Sequence, residues 1–161
     1  MVRHYDLNIY ERMSKMNSER LRIATSEDME LLFRWVNDES VRKASFQTEL
    51  ITWETHVEWF ERIMKSENIF QFIYECDGKE VGQVRLKIQN ETGLISYSIA
   101  PEWRGAGKAT RMLNLLEGLI KNKYPYIKEL TAEVKSKNIA SRRVFEKLEY
   151  GENAIVYKKR L

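Results

Sequence analysis

A chain of 161 residues with 43% apolar and 32% charged side chains is long enough for one domain with its own core, and too apolar for a disordered segment. Its formal charge of +3 suits small anions without demanding nucleic acid, and its single cysteine cannot form an internal disulfide. With no apolar run of about 18 residues, and no hydrophobic leader in the opening MVRHYDLNIYERMSKMNSER, the sequence reads as a soluble, cytoplasmic protein with no membrane partner.

Residues 1–19 read as an extension ahead of a domain spanning 20–161. LRIAT (21–25) predicts a first strand, and Thr25 or Ser26 can cap a helix carrying Met29, Leu32, Phe33 and Val36 at helical spacing. In TWETHVEWFERIMKS, Thr52 is a second cap, and Trp53, Val57, Phe60 and Met64 form the expected apolar stripe. IFQFIYE then turns at Asp77–Gly78 into EVGQVRLKIQ, where Val84, Leu86 and Ile88 alternate with Arg85, Lys87 and Gln89, which predicts a hairpin. Cys76, in FQFIYECDG, reads as a small core residue.

GLISYSIA predicts another strand, ending near Pro101, and the helix after it presents Met112, Leu116, Leu119 and Ile120 on one face. IKELTAEVK alternates again, with Leu130, Ala132 and Val134 against Thr131, Glu133 and Lys135. A short helix in NIASRRVFEKLEY and a last strand in AIVYKKRL complete the order β-α-α-β-β-β-α-β-α-β. That order predicts an α/β fold with helices on both faces of the sheet.

The stretch IAPEWRGAGKATRMLNLLEGLIKNK (99–123) runs from a strand through small and basic residues into a helix, the layout of a phosphate cradle. A Walker loop is excluded: Glu102 stands five positions before Gly107, where glycine is needed, and Ala109 follows Lys108 where Ser or Thr is needed. A dinucleotide fingerprint from Gly105 fails at Thr110. What remains is Arg104-x-x-Gly107-x-Ala109, in which small residues let backbone N–H groups converge on an anion while Arg104 and Lys108 add charge.

This pattern resembles the acetyl-CoA pyrophosphate loop of the GNAT N-acetyltransferase superfamily. About 30 residues later, NIASRRVFEKLEY resembles that superfamily's second signature, Asn-x-x-Ser/Ala-x-x-x-Tyr/Phe-x-x-x-Gly-Phe/Tyr, after the next strand. Two motifs in order, on the right elements, extend the resemblance over roughly residues 20–161. It implies the GNAT fold: a mixed, mostly antiparallel sheet, splayed where the strand at 127–135 diverges from the strand at 94–100. It further implies pantetheine at the backbone of Ile99 and Ala100, and pyrophosphate at Arg104, Gly105, Gly107, Lys108 and Ala109. Asn138 and Arg143 are implied near the far side of the cofactor.

Acetyl transfer to an amine needs a base for the ammonium, donors for the oxyanion and a proton for the departing thiolate, but no covalent nucleophile and no metal. Glu133, on the strand the resemblance puts beside the cleft, is the first candidate base, and His56 the second. Each also reads as structural, Glu133 as a solvated carboxylate and His56 as an aromatic-packed ring. Many relatives carry Tyr where this chain has Phe145, so Ser141 becomes the candidate acid, with Tyr97 and Tyr150 behind it. Glu149 stands where the signature has glycine.

Acceptor choice, by the same resemblance, lies in FRWVNDESVRKASFQTELITWETHVEWFERI. This segment resembles acetyltransferases of 4-amino nucleotide sugars on the route to pseudaminic and related nonulosonic acids. More loosely it resembles ribosomal-protein N-terminal acetyltransferases. A nucleotide sugar would meet Arg34, Arg42, Lys43, Arg85 and Lys87 at its phosphates and Trp35, Phe46 or Trp59 at a ring. Asn37 and Ser45 suit its hydroxyls, and His56 flanks the same helix face. Trp35 and Trp59 read equally as core anchors. The expectation is a UDP-4-amino-4,6-dideoxy sugar as acceptor, with a peptide N-terminal acetyltransferase or a non-catalytic acetyl-CoA-binding regulator as alternatives. No nucleic-acid partner is expected, and a homodimer stays open.

Overall fold

The computed structural model describes residues 18–153. The predicted extension up to residue 17 and the predicted last strand, 154–161, lie outside the described residues.

Strand β1 (Glu19–Ile23) leads through a 3-10 turn (Ser26–Asp28) into α1 (Met29–Val36). A short helix α2 (Glu39–Ala44) and the longer α3 (Trp53–Met64) follow. Three strands come next: β2 (Ile69–Cys76), β3 (Lys79–Gln89) and β4 (Thr92–Ile99). After a 3-10 turn at Pro101–Trp103 come α4 (Lys108–Lys123), β5 (Glu129–Ala132) and α5 (Ile139–Lys147). The strands form one sheet in the order β1-β2-β3-β4-β5.

Local chemistry explains the joints. Asp77 and Gly78 both take positive φ, 52° and 76°, the turn whose twist matches a tight hairpin. β1 through β4 are antiparallel to their neighbours, whereas β5 joins β4 in parallel, which requires a crossover, here supplied by α4. Helices cover both faces. On one, Met112, Leu113, Leu116 and Ile120 of α4 and Phe145 of α5 pack on Tyr74, Val84, Leu86 and Ile95. On the other, Leu32 and Trp35 of α1 and Phe60 and Ile63 of α3 pack on Ile73 and Ala100.

Several expectations change in detail. The buried stripe of α3 is His56, Phe60 and Ile63, while Trp53 and Met64 are 39% and 43% exposed. With Phe60 and Ile63 packed on the sheet, His56 faces inward and its ring nitrogen meets the carbonyl of Met29. α2, an element absent from the predicted order, is capped by the Asp38 carboxylate, which accepts from the amides of Ser40 and Val41. β5 is shorter than 127–135, so Glu133 lies just past its end rather than on it.

Candidate functional site

Parallel pairing between β4 and β5 runs only from Thr92↔Glu129 to Ile95↔Ala132. β4 continues to Ile99 with β3 alone beside it, in register Gly82↔Ile99 to Arg85↔Ser96. The sheet is therefore split beyond Ile95. The amide of Ala100 bonds the carbonyl of Val81, so by the alternation of an antiparallel ladder the backbone groups of Ile99 and Tyr97 point away from β3, into the split.

The loop 104–107 closes the top of this split. Gly105 and Gly107 have φ of 76° and 71°, a region costly for residues with a Cβ. Gly107 is the N-cap of α4 and offers no side chain, so the first N–H groups of a 16-residue helix meet no side-chain cap. Backbone donors, helix dipole and open space around both glycines are the features an anion cradle requires.

The basic side chains are placed otherwise than expected. Lys108 turns away from the cradle: its Nζ donates to Glu19 Oε1 at 2.9 Å and lies 3.1 Å from Cys76 Sγ. The Glu19 contact holds the Lys108 ammonium above its ordinary value. Ala109 packs its methyl toward the core. Arg104 Nε donates to the Ile99 carbonyl at 3.0 Å, and its Nη2 to Asp38 Oδ1 at 2.6 Å. Burial pushes the Asp38 carboxyl up, but hydrogen bonds from Arg104 and from the Val41 and Ser40 amides outweigh that and hold it low. At the other end of α2, Lys135 Nζ donates to the Lys43 carbonyl at 3.0 Å. α2 is thus tied to the segments that follow both β4 and β5.

On the α4/α5 side of the split, Tyr97 Oη and Ser141 Oγ lie 3.1 Å apart. Burial pushes the Tyr97 phenol up, so it stays protonated at neutral pH. Asn138 caps α5 through the Ser141 amide, and Arg143 is exposed on that helix. Phe145 is buried, its ring edge-on to Tyr97 and Tyr150. The helix ends as a Schellman motif: the Tyr150 amide bonds Phe145 O, the Glu149 amide bonds Glu146 O, and Glu149 takes φ 64°. Glu133 is exposed immediately beyond the last β5 pair, at the apex of the split.

Of the proposed acceptor residues, Trp35, Asn37, Arg42 and His56 do structural work. Trp35 is buried under α1. Asn37 donates to the Ile51 carbonyl at 2.9 Å and accepts from its amide at 2.8 Å. Arg42 is buried, with Nε on Val36 O and Nη1 near Gln47 O and Glu49 O, so it ties the loop rather than facing a phosphate. His56 is 2% exposed, packs against Phe33, Trp59 and Phe60, and uses Nε2 on the Met29 carbonyl; burial holds its pKa below the ordinary value. A ring sealed this way cannot receive a proton from an acceptor. Arg34 is exposed, and Trp59 is half-buried beneath the Arg85 guanidinium. Sequence reasoning did not foresee that Asp38 and Lys135 tie α2 to the segments after β4 and β5. An aspartate opening Asp-Glu-Ser is a cap signal, whereas nothing local marks the partner of Lys135.

Two surface depressions are lined by α1 residues such as Glu30, Phe33 and Arg34, and by Trp53 or the β1 arginine Arg22. Neither includes the loop or β4. Among the described residues no cluster of His, Cys, Asp and Glu could hold a metal ion, and no helix is long and apolar enough to cross a membrane.

A family model described as an acetyltransferase (GNAT) domain matches residues 20–150. No match is found among curated proteins. Among solved structures, a domain from Methanocaldococcus jannaschii DSM 2661 is 25% identical, with TM-score 0.75 over 85% of this chain and 90% of that one. The aminoglycoside acetyltransferase AAC(6')-Ib in complex with coenzyme A is 18% identical, with TM-score 0.75 over 86% and 87% of the two chains. Spermidine N-acetyltransferase from Vibrio cholerae in complex with CoA and spermine is 17% identical, with TM-score 0.76 over 84% and 82%.

Proposed function

The chain belongs to the GNAT acetyltransferase family, and from that premise we propose that it transfers the acetyl group of acetyl-CoA to the primary amine of a UDP-4-amino-4,6-dideoxy sugar. The observation that carries the cofactor reading is the uncapped, glycine-led start of α4 at the top of a half-paired β4. Acetyl-CoA supplies an acetyl thioester already activated for transfer, so the protein need only hold it, deprotonate the amine and protonate the departing sulfur.

The residues fit those tasks. The amides following Gly107, with Gly105 allowing close approach, hold the pyrophosphate, and Arg104 adds charge. Lys108 contributes its amide rather than its ammonium. The Ile99 amide and the backbone of Tyr97 in the split receive the pantetheine amides, while the Ile99 carbonyl is held by Arg104. Asn138 fixes the start of α5, and Arg143 stands on its exposed side.

The Tyr97–Ser141 hydroxyl pair is the proton donor: a phenol kept neutral by burial passes a proton through Ser141, or directly, to the leaving sulfur. Phe145 therefore needs no hydroxyl of its own. Glu133, exposed at the apex of the split, takes the ammonium proton through water. On the acceptor side Arg34 and Trp59 remain available, and the loop tied by Asn37 and Arg42 forms the wall. The hydroxyl pair argues against a regulator that binds cofactor without turnover.

The test is thiol release from acetyl-CoA by the purified protein, with the UDP-amino sugar, an aminoglycoside, spermidine and peptides with free N-termini offered separately. Turnover on the amino sugar at a kcat/KM well above the others is expected. Turnover on peptides or polyamines alone overturns the acceptor assignment and keeps the cofactor. No calorimetric binding of CoA overturns both.

A further inference from the structure

On the face of the sheet covered by α1 and α3, the strands carry a polar run where an apolar one is usual. Val84, Leu86 and Ile88 point into the α4 core, so Gln83 and Arg85 of β3 point the other way; Ser96 and Ser98 of β4 share that face. Gln71 of β2 is buried, and its Nε2 donates to Gln83 Oε1 at 2.6 Å. Gln83 Nε2 in turn donates to Ser98 Oγ at 3.1 Å. Ser98 accepts there and lies in the half of β4 beyond its β5 pairs.

Arg85 is the anomaly in this run. It stands in register with exposed Ser96, the first residue of β4 beyond its last β5 pair. Its guanidinium carbon lies 5.6 Å from the centroid of the Trp59 ring. Arg20 and Arg22 pair with Glu75, Arg42 caps carbonyls and Arg104 pairs with Asp38. Arg85 has neither a hydrogen bond nor an ion pair among the described residues. Burial holds its pKa below the ordinary arginine value, yet a guanidinium stays charged in any folded protein. A largely desolvated cation with five idle donors is costly, and a cation–π contact alone offsets only part of that cost.

We infer that Arg85 is the anion-recognising residue of the acceptor site, and that the true acceptors are amines carrying a phosphate or carboxylate within reach of the reacting nitrogen. The inference rests on the acetyl-transfer reading above and narrows its acceptor class. The anion docks on the guanidinium over Trp59, Ser96 and Ser98 supply hydroxyl contacts, and the amine reaches the apex of the split beside Glu133. A polycation meets an uncompensated positive charge in the same place. The diphosphate of a nucleotide sugar and the carboxylate of an amino acid share the required chemistry.

The experiment compares wild type, Arg85→Gln and Arg85→Lys on a UDP-4-amino-4,6-dideoxy sugar, glucosamine 6-phosphate, glucosamine, glutamate and spermidine. Wild type is expected to favour the anionic amines, the sugar phosphates and glutamate separating the two sources of charge. Arg85→Gln should raise KM for the preferred anionic amine by about 10- to 100-fold, with kcat and the acetyl-CoA KM within about 2-fold, and Arg85→Lys should recover part of the loss. Equal losses on glucosamine and glucosamine 6-phosphate, or a wild-type preference for spermidine, overturn the inference. If no amine turns over, calorimetry of UDP and of inorganic pyrophosphate on the CoA-loaded protein decides. Binding at least about 10-fold tighter to wild type than to Arg85→Gln supports it, and no binding to wild type overturns it. Failure of CoA itself to bind sinks the acetyl-transfer reading instead, which separates the two outcomes.

Discussion

Replacing Glu149 with glycine should stabilise the protein. Glu149 has φ 64° at the residue after the α5 C-cap, and its exposed side chain makes no hydrogen bond or ion pair among the described residues. The bonds that define the turn are backbone bonds from Glu149 to Glu146 and Tyr150 to Phe145, which the substitution keeps. Relief of left-handed strain is worth roughly 1–2 kcal/mol. The extra freedom of glycine in the unfolded chain costs roughly 0.4–1 kcal/mol. The net is a gain of about 0.5–1 kcal/mol, or about 2–4 °C in Tm for a domain of this size at the upper figure. Differential scanning calorimetry of wild type, Glu149→Gly and Glu149→Ala checks it, with alanine expected to match glutamate because it keeps the Cβ. A Glu149→Gly variant no more stable than Glu149→Ala would refute the strain argument.

The remaining predictions concern the site and its supports. Gly107→Ala puts a Cβ on a residue at φ 71°, and should weaken CoA binding by calorimetry at least about 10-fold while circular dichroism stays native. Tyr97→Phe and Ser141→Ala should each lower kcat by about 10- to 100-fold with little change in the acetyl-CoA KM, and the double variant should lose no more than the worse single one. Arg42→Ala leaves the carbonyls of Val36, Gln47 and Glu49 without their donor and should cost about 2–3 kcal/mol in urea unfolding. His56 is held neutral by burial, so its contribution is full above its unfolded value of 6.5 and is lost as pH falls below that. Asp28 and Glu75, buried but held low by Arg22, add a second loss below their ordinary values of 3.8 and 4.5. Unfolding midpoints from pH 8 to pH 3 should fall in those two stages, and His56→Gln should remove the first.

The sequence made the scaffold legible because it depends on local signals. Asp77–Gly78 dictates a hairpin, alternation of Val84, Leu86 and Ile88 dictates a two-sided strand, and Gly105 and Gly107 take the positive φ their residue type allows. What escaped was tertiary. Periodicity alone put Trp53 and Met64 on the buried stripe of α3, because it cannot see that His56 faces inward and meets the carbonyl of Met29. Likewise the charges of Arg42 and Lys108 look like phosphate ligands in a string of letters. Val36 and Glu19, distant or on another element, claim them in space. Arg85 reads as one of five candidate phosphate contacts, and only the lack of any partner among the described residues sets it apart from Arg42.

The half-paired β4 also bears on how the protein behaves in company. A strand with unsatisfied main-chain groups normally invites a foreign strand to zip on and start an aggregate. Here those groups lie inside a crack, flanked by β3 on one side, with the segments after β4 and β5 both tethered to α2. An incoming strand would need neighbours about 4.8 Å away along its length and room for side chains on both faces. A slender chain with an amide every few bonds needs neither. Main-chain groups placed between two strands in this way are within easier reach of a slender ligand than of a foreign strand.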